Sequence, residues 1–122
     1  MLNIVWHLTN SIGLPASDHG GGTYTMQLAD GTTRPATPAE ILTATKAARI
    51  AQINAECKAS IFARWPLEKQ MSATLGIYGA LESVAMRDWV DRHIAASNVA
   101  SDQVDSAATV AAVEAVAVTW PV

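Results

Sequence analysis

The side chains that could perform chemistry are few and scattered in this sequence. The chain has three histidines, His7, His19 and His93, and a single cysteine, Cys57. No histidine lies three or four residues from another histidine, a cysteine or a carboxylate cluster, the spacing expected of a metal site. We therefore expect no metal or cofactor. The acidic neighbours of His93 in the sequence indicate only a surface ion pair.

Three further patterns could mark catalytic or ligand sites. Cys57 could be a nucleophile with a histidine as its base, but its place on an apolar helical face favours a small buried side chain. The run Gly20-Gly21-Gly22 has no preceding strand, following helix or lysine, so it predicts a loop tip and not a phosphate loop. The carboxylates that could serve as acid and base fall at positions typical of helix surface. We therefore expect no enzymatic activity.

Aromatic side chains are the more informative group. Tryptophan and tyrosine are enriched in interface hot spots, although tryptophan serves equally well as a core anchor where helices meet. For Trp89 the core position is favoured. The candidate partner contacts are Trp6, Trp65, Pro66, Tyr78 and Trp120.

Composition limits the class of protein. The 122 residues fit one domain, and charged residues make up 16% of the chain, against about 25% in typical proteins. A surface poor in charge suits a chain that is partly covered in an assembly. The net charge is −3 and the basic residues are dispersed, so nucleic-acid binding is not expected. A single cysteine excludes a framework of disulfides within the chain. We therefore expect the protein to fold in a reducing compartment.

Membrane insertion and secretion are not expected either. No run of about 18 uncharged apolar residues is present. The nearest candidate, residues 107–122, is interrupted by Glu114. The first residues have neither the positive region nor the apolar stretch of a secretory signal.

Residues 1–36 predict a region of β-hairpin and loop. Residues 3–8 could form a strand with Ile4, Trp6 and Leu8 on one face, followed by a loop over residues 9–22. Residues 23–29 alternate between polar and apolar side chains, with Tyr24, Met26 and Leu28 on one side, and this pattern predicts a second strand. Asp30-Gly31 predicts a type I′ turn, and the short strand after it ends at Pro35.

Residues 37–122 predict helices. Thr37, Pro38 and Glu40 form a capping box with proline at the first helical position, so a helix should run from there to about Arg64. Trp65-Pro66 should end it. A short helix over residues 66–75 follows, with Gly76 suited to its C-terminal cap.

The remaining sequence predicts two more helices and an apolar tail. A third helix should span residues 80–97 with Leu81, Val84, Ala85 and Trp89 turned inward, and a fourth should span residues 102–115 after a turn at residues 98–101. The tail, residues 116–122, should dock on the body of the protein or on a partner. The predicted fold class is α+β and mainly helical, an N-terminal β-hairpin followed by a bundle of three to four helices that forms one compact unit overall.

Parts of the chain resemble a group of phage proteins. The resemblance is carried by residues 53–57 and 65–70, by the ending Thr119-Trp120-Pro121, and by the strand–turn–helix sequence of residues 28–40. Over residues 24–122 the chain is similar to small tail-fibre or tail-assembly proteins encoded in the tail gene clusters of tailed bacteriophages and prophages. Residues 1–23 carry no such resemblance.

The resemblance implies a non-enzymatic role in the virion tail, with synthesis in the cytoplasm of the bacterial host. The expected partners are other tail proteins or further copies of this chain. Three functions are open: a structural component at the baseplate or the tail-fibre attachment point, an assembly chaperone, and a small binding module unrelated to tails.

Overall fold

The computed structural model describes residues 2–122, which form five helices and a small three-stranded sheet. The elements in chain order are α1 (Ile4–Ile12), β1 (Ala16–Asp18), β2 (Tyr24–Gln27), β3 (Thr33–Pro35), α2 (Pro38–Arg64), α3 (Leu67–Thr74), α4 (Ala80–Ser106) and α5 (Val110–Glu114). The predicted α+β, mainly helical class is confirmed. None of the helices in this part of the chain is long and apolar enough to cross a membrane.

The predicted strand over residues 3–8 is wrong, because that segment is helix α1. The Asn3 side chain accepts a hydrogen bond from the Trp6 N–H at 3.1 Å, which caps the first turn. At the other end Gly13 is left-handed, with φ +81°, and its N–H donates to the Thr9 carbonyl at 2.9 Å, a common helix ending. The loop predicted over residues 9–22 is wrong in part, since α1 continues to Ile12 and β1 occupies Ala16–Asp18, whereas Gly20-Gly21-Gly22 does lie in a loop.

The sheet is antiparallel in the order β1-β2-β3. The predicted hairpin at Asp30-Gly31 is confirmed, but its turn is not type I′. A type I′ turn requires positive φ at both of its central residues. Of Asp30 and Gly31, only Gly31 has a positive φ, at +86°. The Gly31 N–H donates to the Leu28 carbonyl at 3.0 Å and the Leu28 N–H donates to the Thr32 carbonyl at 2.7 Å, so the connection is three residues long.

Contacts divide the described residues into two compact units, and the division falls inside α2 and α4. The first unit comprises the residues up to Gln52 together with Val104–Val116. The second comprises Ile53–Gln103 together with Ala117–Val122. Residue 36, where the sequence predicts the change from hairpin to helices, lies within the first unit.

The core of the first unit is where the small sheet meets helices α1 and α2. Its buried members are Leu8, Met26, Ala36 and Ala44. Strands this short are marginally stable alone, so their packing against helices supplies the stability they need. In the same unit the Lys46 ammonium donates to the Asp105 carbonyl at 2.7 Å, and the Arg49 guanidinium donates to the Val116 carbonyl at 2.8 Å.

The capping box at the start of α2 is confirmed. The Glu40 N–H donates to the Thr37 hydroxyl at 3.1 Å, and the Thr37 N–H donates to the Glu40 carboxylate at 2.9 Å. Arg34 on β3 forms a bidentate ion pair with the same carboxylate, and its two guanidinium nitrogens donate to the two Glu40 oxygens at 2.8 and 3.0 Å. The Arg34 guanidinium, followed by the Thr37 N–H, lowers the pKa of Glu40 from 4.5 to about 2.

This lowered pKa predicts an acid-sensitive contribution to stability. Glu40 is ionised more readily when folded, so its contribution is complete above pH 4.5 and is lost as the pH falls toward about 2. Glu40→Gln should therefore lower the unfolding temperature at neutral pH, and the difference from the wild type should narrow as the pH approaches 2. Thermal unfolding followed by circular dichroism at several pH values measures this. A difference that stays constant over the whole range would contradict the assignment.

The predicted turn at residues 98–101 is wrong, because α4 is continuous from Ala80 to Ser106. The buried residues of its middle and end are His93, Ser97, Ala100 and Val104. Their spacing of three and four residues continues one helical face through the proposed turn. Asn98 is exposed and so does not interrupt that face. The turn comes after Ser106, and Thr109 caps α5 by accepting from the Ala112 N–H at 3.1 Å.

Candidate protein-binding surface

Exposed apolar side chains are concentrated in one segment of the second unit. Of the twelve large hydrophobic residues exposed in residues 2–122, seven lie within 18 consecutive positions, in α3, the connection after it and the start of α4. We call these seven the 67–84 surface: Leu67, Met71, Leu75, Ile77, Tyr78, Leu81 and Val84. Single exposed hydrophobic residues are ordinary on proteins, whereas such a concentration is typical of interaction sites.

Helix α3 presents its part of this surface as a continuous stripe. Leu67, Met71 and Leu75 recur every four residues, so they lie on one helical face. They line a shallow cavity of about 360 Å³. Ala73 is the fully buried residue of α3, so the helix packs through a small side chain and leaves its large apolar side chains in solvent.

The connection after α3 is held by a defined turn. Gly76 is left-handed at φ +79°, the Gly76 N–H donates to the Ala73 carbonyl at 3.1 Å, and the Ile77 N–H donates to the Ser72 carbonyl at 3.0 Å. These are the two bonds of a Schellman motif, which confirms the predicted glycine cap. The Ser83 hydroxyl, on α4, also donates to the Ala73 carbonyl at 2.7 Å. Ile77 and Tyr78 are thereby fixed beside α3.

The start of α4 is exposed where the sequence predicts burial. Leu81 is 87% exposed and Val84 is 62% exposed, so the prediction that both turn inward is wrong. At about 100° per residue, Val84 falls nearly opposite His93, which is buried in the middle of the same helix. Leu81 and Val84 therefore lie away from the buried face of α4, whereas Trp89, which is also predicted to turn inward, is half-buried and contacts His93.

The predicted partner contacts are placed in different surroundings. Trp6 is 56% exposed on α1 in the first unit, and Tyr78 belongs to the 67–84 surface. Trp65 is only 6% exposed, so little of its side chain is available to a partner, and Pro66 is half-buried. Trp65 and Tyr78 line the same cavity.

Trp120 is half-buried and docks the C-terminal tail within the second unit. Its indole stacks on the His93 ring with centroids 6.0 Å apart, and the His93 ring also contacts Trp89 at 4.3 Å. The predicted surface ion pair of His93 is wrong: this residue is buried, and its Nδ1 lies 2.7 Å from the Trp89 carbonyl, an arrangement in which the ring donates. Docking of the tail on the body of the protein is confirmed.

The residues considered for chemistry do not converge. Cys57 is buried, and the exposed His19 ring pairs with the Thr25 hydroxyl at 2.8 Å. Gly20-Gly21-Gly22 forms the exposed loop between β1 and β2. Within residues 2–122 no three histidine, cysteine, aspartate or glutamate side chains are grouped closely enough to hold a metal ion.

Comparison with protein-family models, with curated proteins and with solved structures gives no match to this chain. Among the described residues, the 67–84 surface is therefore the feature that indicates most about the function of this protein. Sequence reasoning found Tyr78 but missed the six aliphatic members. The sequence does carry one signal for these residues, the four-residue repeat of large apolar side chains in α3. A short helix of eight residues that buries Ala73 on one face can leave the apolar face formed by this repeat exposed to solvent.

Proposed function

We propose that this chain is a non-enzymatic structural component of a bacteriophage tail, at the baseplate or the tail-fibre attachment point, and that it binds other protein chains through the 67–84 surface. The observation that carries the proposal is the exposure of seven large apolar side chains within 18 positions. Fully burying one such side chain contributes at most about 1.5–3 kcal/mol, so a partner that covers several of them gains a favourable contribution that offsets the entropy cost of association.

The way the surface is built supports binding without large rearrangement. Leu67, Met71 and Leu75 stand on a formed helix, and the Schellman turn at Gly76 fixes Ile77 and Tyr78. A surface that is ordered before binding loses less conformational freedom when a partner docks. The tail context is supported by the resemblance of residues 24–122 to tail-fibre and tail-assembly proteins. The partners proposed are other tail proteins or further copies of this chain.

An assembly chaperone is the second candidate function, and Met71 is the observation that favours it. Methionine is flexible and polarisable, so it adapts to more than one partner surface. Met71 lies between Leu67 and Leu75 in the stripe of α3, where such adaptation would suit a transient complex.

A small binding module unrelated to tails is the third candidate. It is favoured by a cavity of about 560 Å³ in the first unit, a size typical of ligand pockets. The lining is mostly apolar and includes Pro38, Ile41, Leu42 and Val110.

Solution mass and particle composition together test the proposal. Light scattering during size-exclusion chromatography should give a stable oligomer with a subunit number that fits the symmetry of a tail, or a complex with a co-expressed tail protein. Mass spectrometry of purified virions should detect the chain at a fixed ratio to the major tail proteins. Presence in assembly intermediates but not in virions would favour the chaperone. A monomer that binds no tail protein would contradict both tail functions.

A further inference from the structure

A second cavity in the same unit has a different chemical character from the 67–84 surface. It has a volume of about 340 Å³ and lies where the end of α2, the start of α3 and the start of α4 meet. We call it the cationic cavity, and its lining residues are Arg64, Trp65, Lys69, Tyr78 and Glu82. Four of these five side chains carry hydrogen-bond donors, and two of them are positively charged.

The two cations of this cavity are not neutralised within the chain. Among residues 2–122 the salt bridges are those of Arg34 with Glu40 and of Arg92 with Asp88, so neither Arg64 nor Lys69 forms one. Glu82 lines the cavity but pairs with neither. Two cations and one carboxylate leave an excess of one positive charge at the cavity.

Arg64 is oriented by an aromatic neighbour. Its guanidinium lies 4.7 Å from the centroid of the Trp89 ring, a cation–π contact. A cation–π contact does not neutralise the guanidinium, whose N–H groups can still donate to a planar acceptor such as a carboxylate or phosphate.

Trp65 supplies a donor that lacks an acceptor. Its indole Nε1 is buried and has no hydrogen-bond partner in the described chain. The Trp65 carbonyl accepts from the Gln70 side chain at 2.6 Å, which ties the backbone at this residue to α3. A buried donor without an acceptor is unfavourable. A ligand oxygen that accepts a hydrogen bond from this indole N–H would remove that cost, which favours binding of the ligand.

We propose that the cationic cavity binds an oxyanion, the carboxylate or phosphate group of a ligand. Lys69 and Arg64 provide the charge and donate to the oxygens, the Tyr78 hydroxyl is a further donor, and Trp65, which lines the same cavity, adds an indole N–H that has no acceptor within the described chain. Glu82 opposes binding and limits the affinity. This proposal does not rest on the proposed tail function, because it is argued from the charges and hydrogen-bond donors of the cavity; Tyr78 is the one residue that the cavity shares with the 67–84 surface.

The indole N–H resonances of the ¹⁵N-labelled full chain test the proposal directly, after assignment of Trp65 through its contacts with neighbouring protons. Inorganic phosphate and acetate are each titrated at constant ionic strength against chloride. We expect a saturable shift of the Trp65 indole resonance. Response to phosphate alone identifies a phosphate site, and response to both anions identifies a site that also accepts the carboxylate of a protein side chain.

Variants at exposed positions separate a site from a general salt effect without disturbing the fold. Lys69→Gln should weaken anion binding by about two- to fivefold, and Glu82→Gln should strengthen it by a similar factor, as expected for partly exposed charge pairs. Lys58→Gln is the matched control, since Lys58 is exposed on α2 and does not line the cationic cavity. A Trp65 resonance unmoved by either anion, or equal affinities in Lys69→Gln and Lys58→Gln, would overturn the proposal.

Discussion

Replacing Leu8 with alanine should lower the free energy of unfolding by about 2–5 kcal/mol, the usual cost of truncating a buried leucine. Leu8 is fully buried in the core of the first unit, against Met26, Ala36 and Ala44. Trp6→Ala, two residues earlier on the same helix, should cost less than about 1 kcal/mol, because the Trp6 side chain is 56% exposed.

Urea unfolding followed by far-ultraviolet circular dichroism measures both variants, and it avoids the fluorescence change that removal of a tryptophan causes. The comparison also tests the secondary structure of the segment. In a strand over residues 3–8, Trp6 and Leu8 would point to the same face, and the two truncations would have similar costs. Equal costs for the two variants would therefore contradict helix α1 and support the strand that the alternation of the sequence suggests.

Local signals in the sequence predicted most of the helical architecture. The capping box of Thr37 and Glu40, the break at Pro66 and the cap at Gly76 are each complete within a few residues, so they act regardless of the rest of the fold. The structure contains all three.

The missed elements are those in which a local pattern fits two structures. Ile4 and Leu8 share a face in a strand, and they also share a face in a helix because they are four residues apart. The N-terminal cap by Asn3 and the left-handed Gly13 at the C-terminal end both favour the helix over the strand. Both residues are helix-end signals that can be identified in the sequence. Asn98 and Ser101 suggest a turn, but burial of Ser97, Ala100 and Val104 in α4 favours continuation of the helix, and that burial is a tertiary property.

The candidate site was less predictable than the fold, because residue type does not determine exposure. The enrichment of tryptophan at interfaces predicts that Trp65 contacts a partner, yet Trp65 is only 6% exposed. The apolar side chain of Leu81 predicts a place in the core, yet Leu81 is the most exposed member of the 67–84 surface. Which face of α4 packs is decided by residues distant in the sequence, and a periodic pattern leaves that choice open.

Leu81→Glu should weaken association through the 67–84 surface by about 30-fold or more, the equivalent of losing a hot spot of about 2 kcal/mol. The Leu81 side chain makes little contact within its own chain, so the substitution removes apolar area from the interface and places a charge there. The fold should tolerate it, since glutamate is a good helix former and an acidic side chain in the first turn of α4 interacts favourably with the helix dipole.

Val99→Glu is the matched control, because Val99 is also an exposed aliphatic residue of α4, 59% exposed, and lies outside the 67–84 surface. Both variants change the net charge by the same amount, so a general electrostatic effect would appear in both. Sedimentation equilibrium gives the association constant of the chain with itself, and calorimetry gives the dissociation constant for a co-purified tail protein. Equal affinities in the two variants would show that the apolar concentration at residues 67–84 is not where this protein meets its partners.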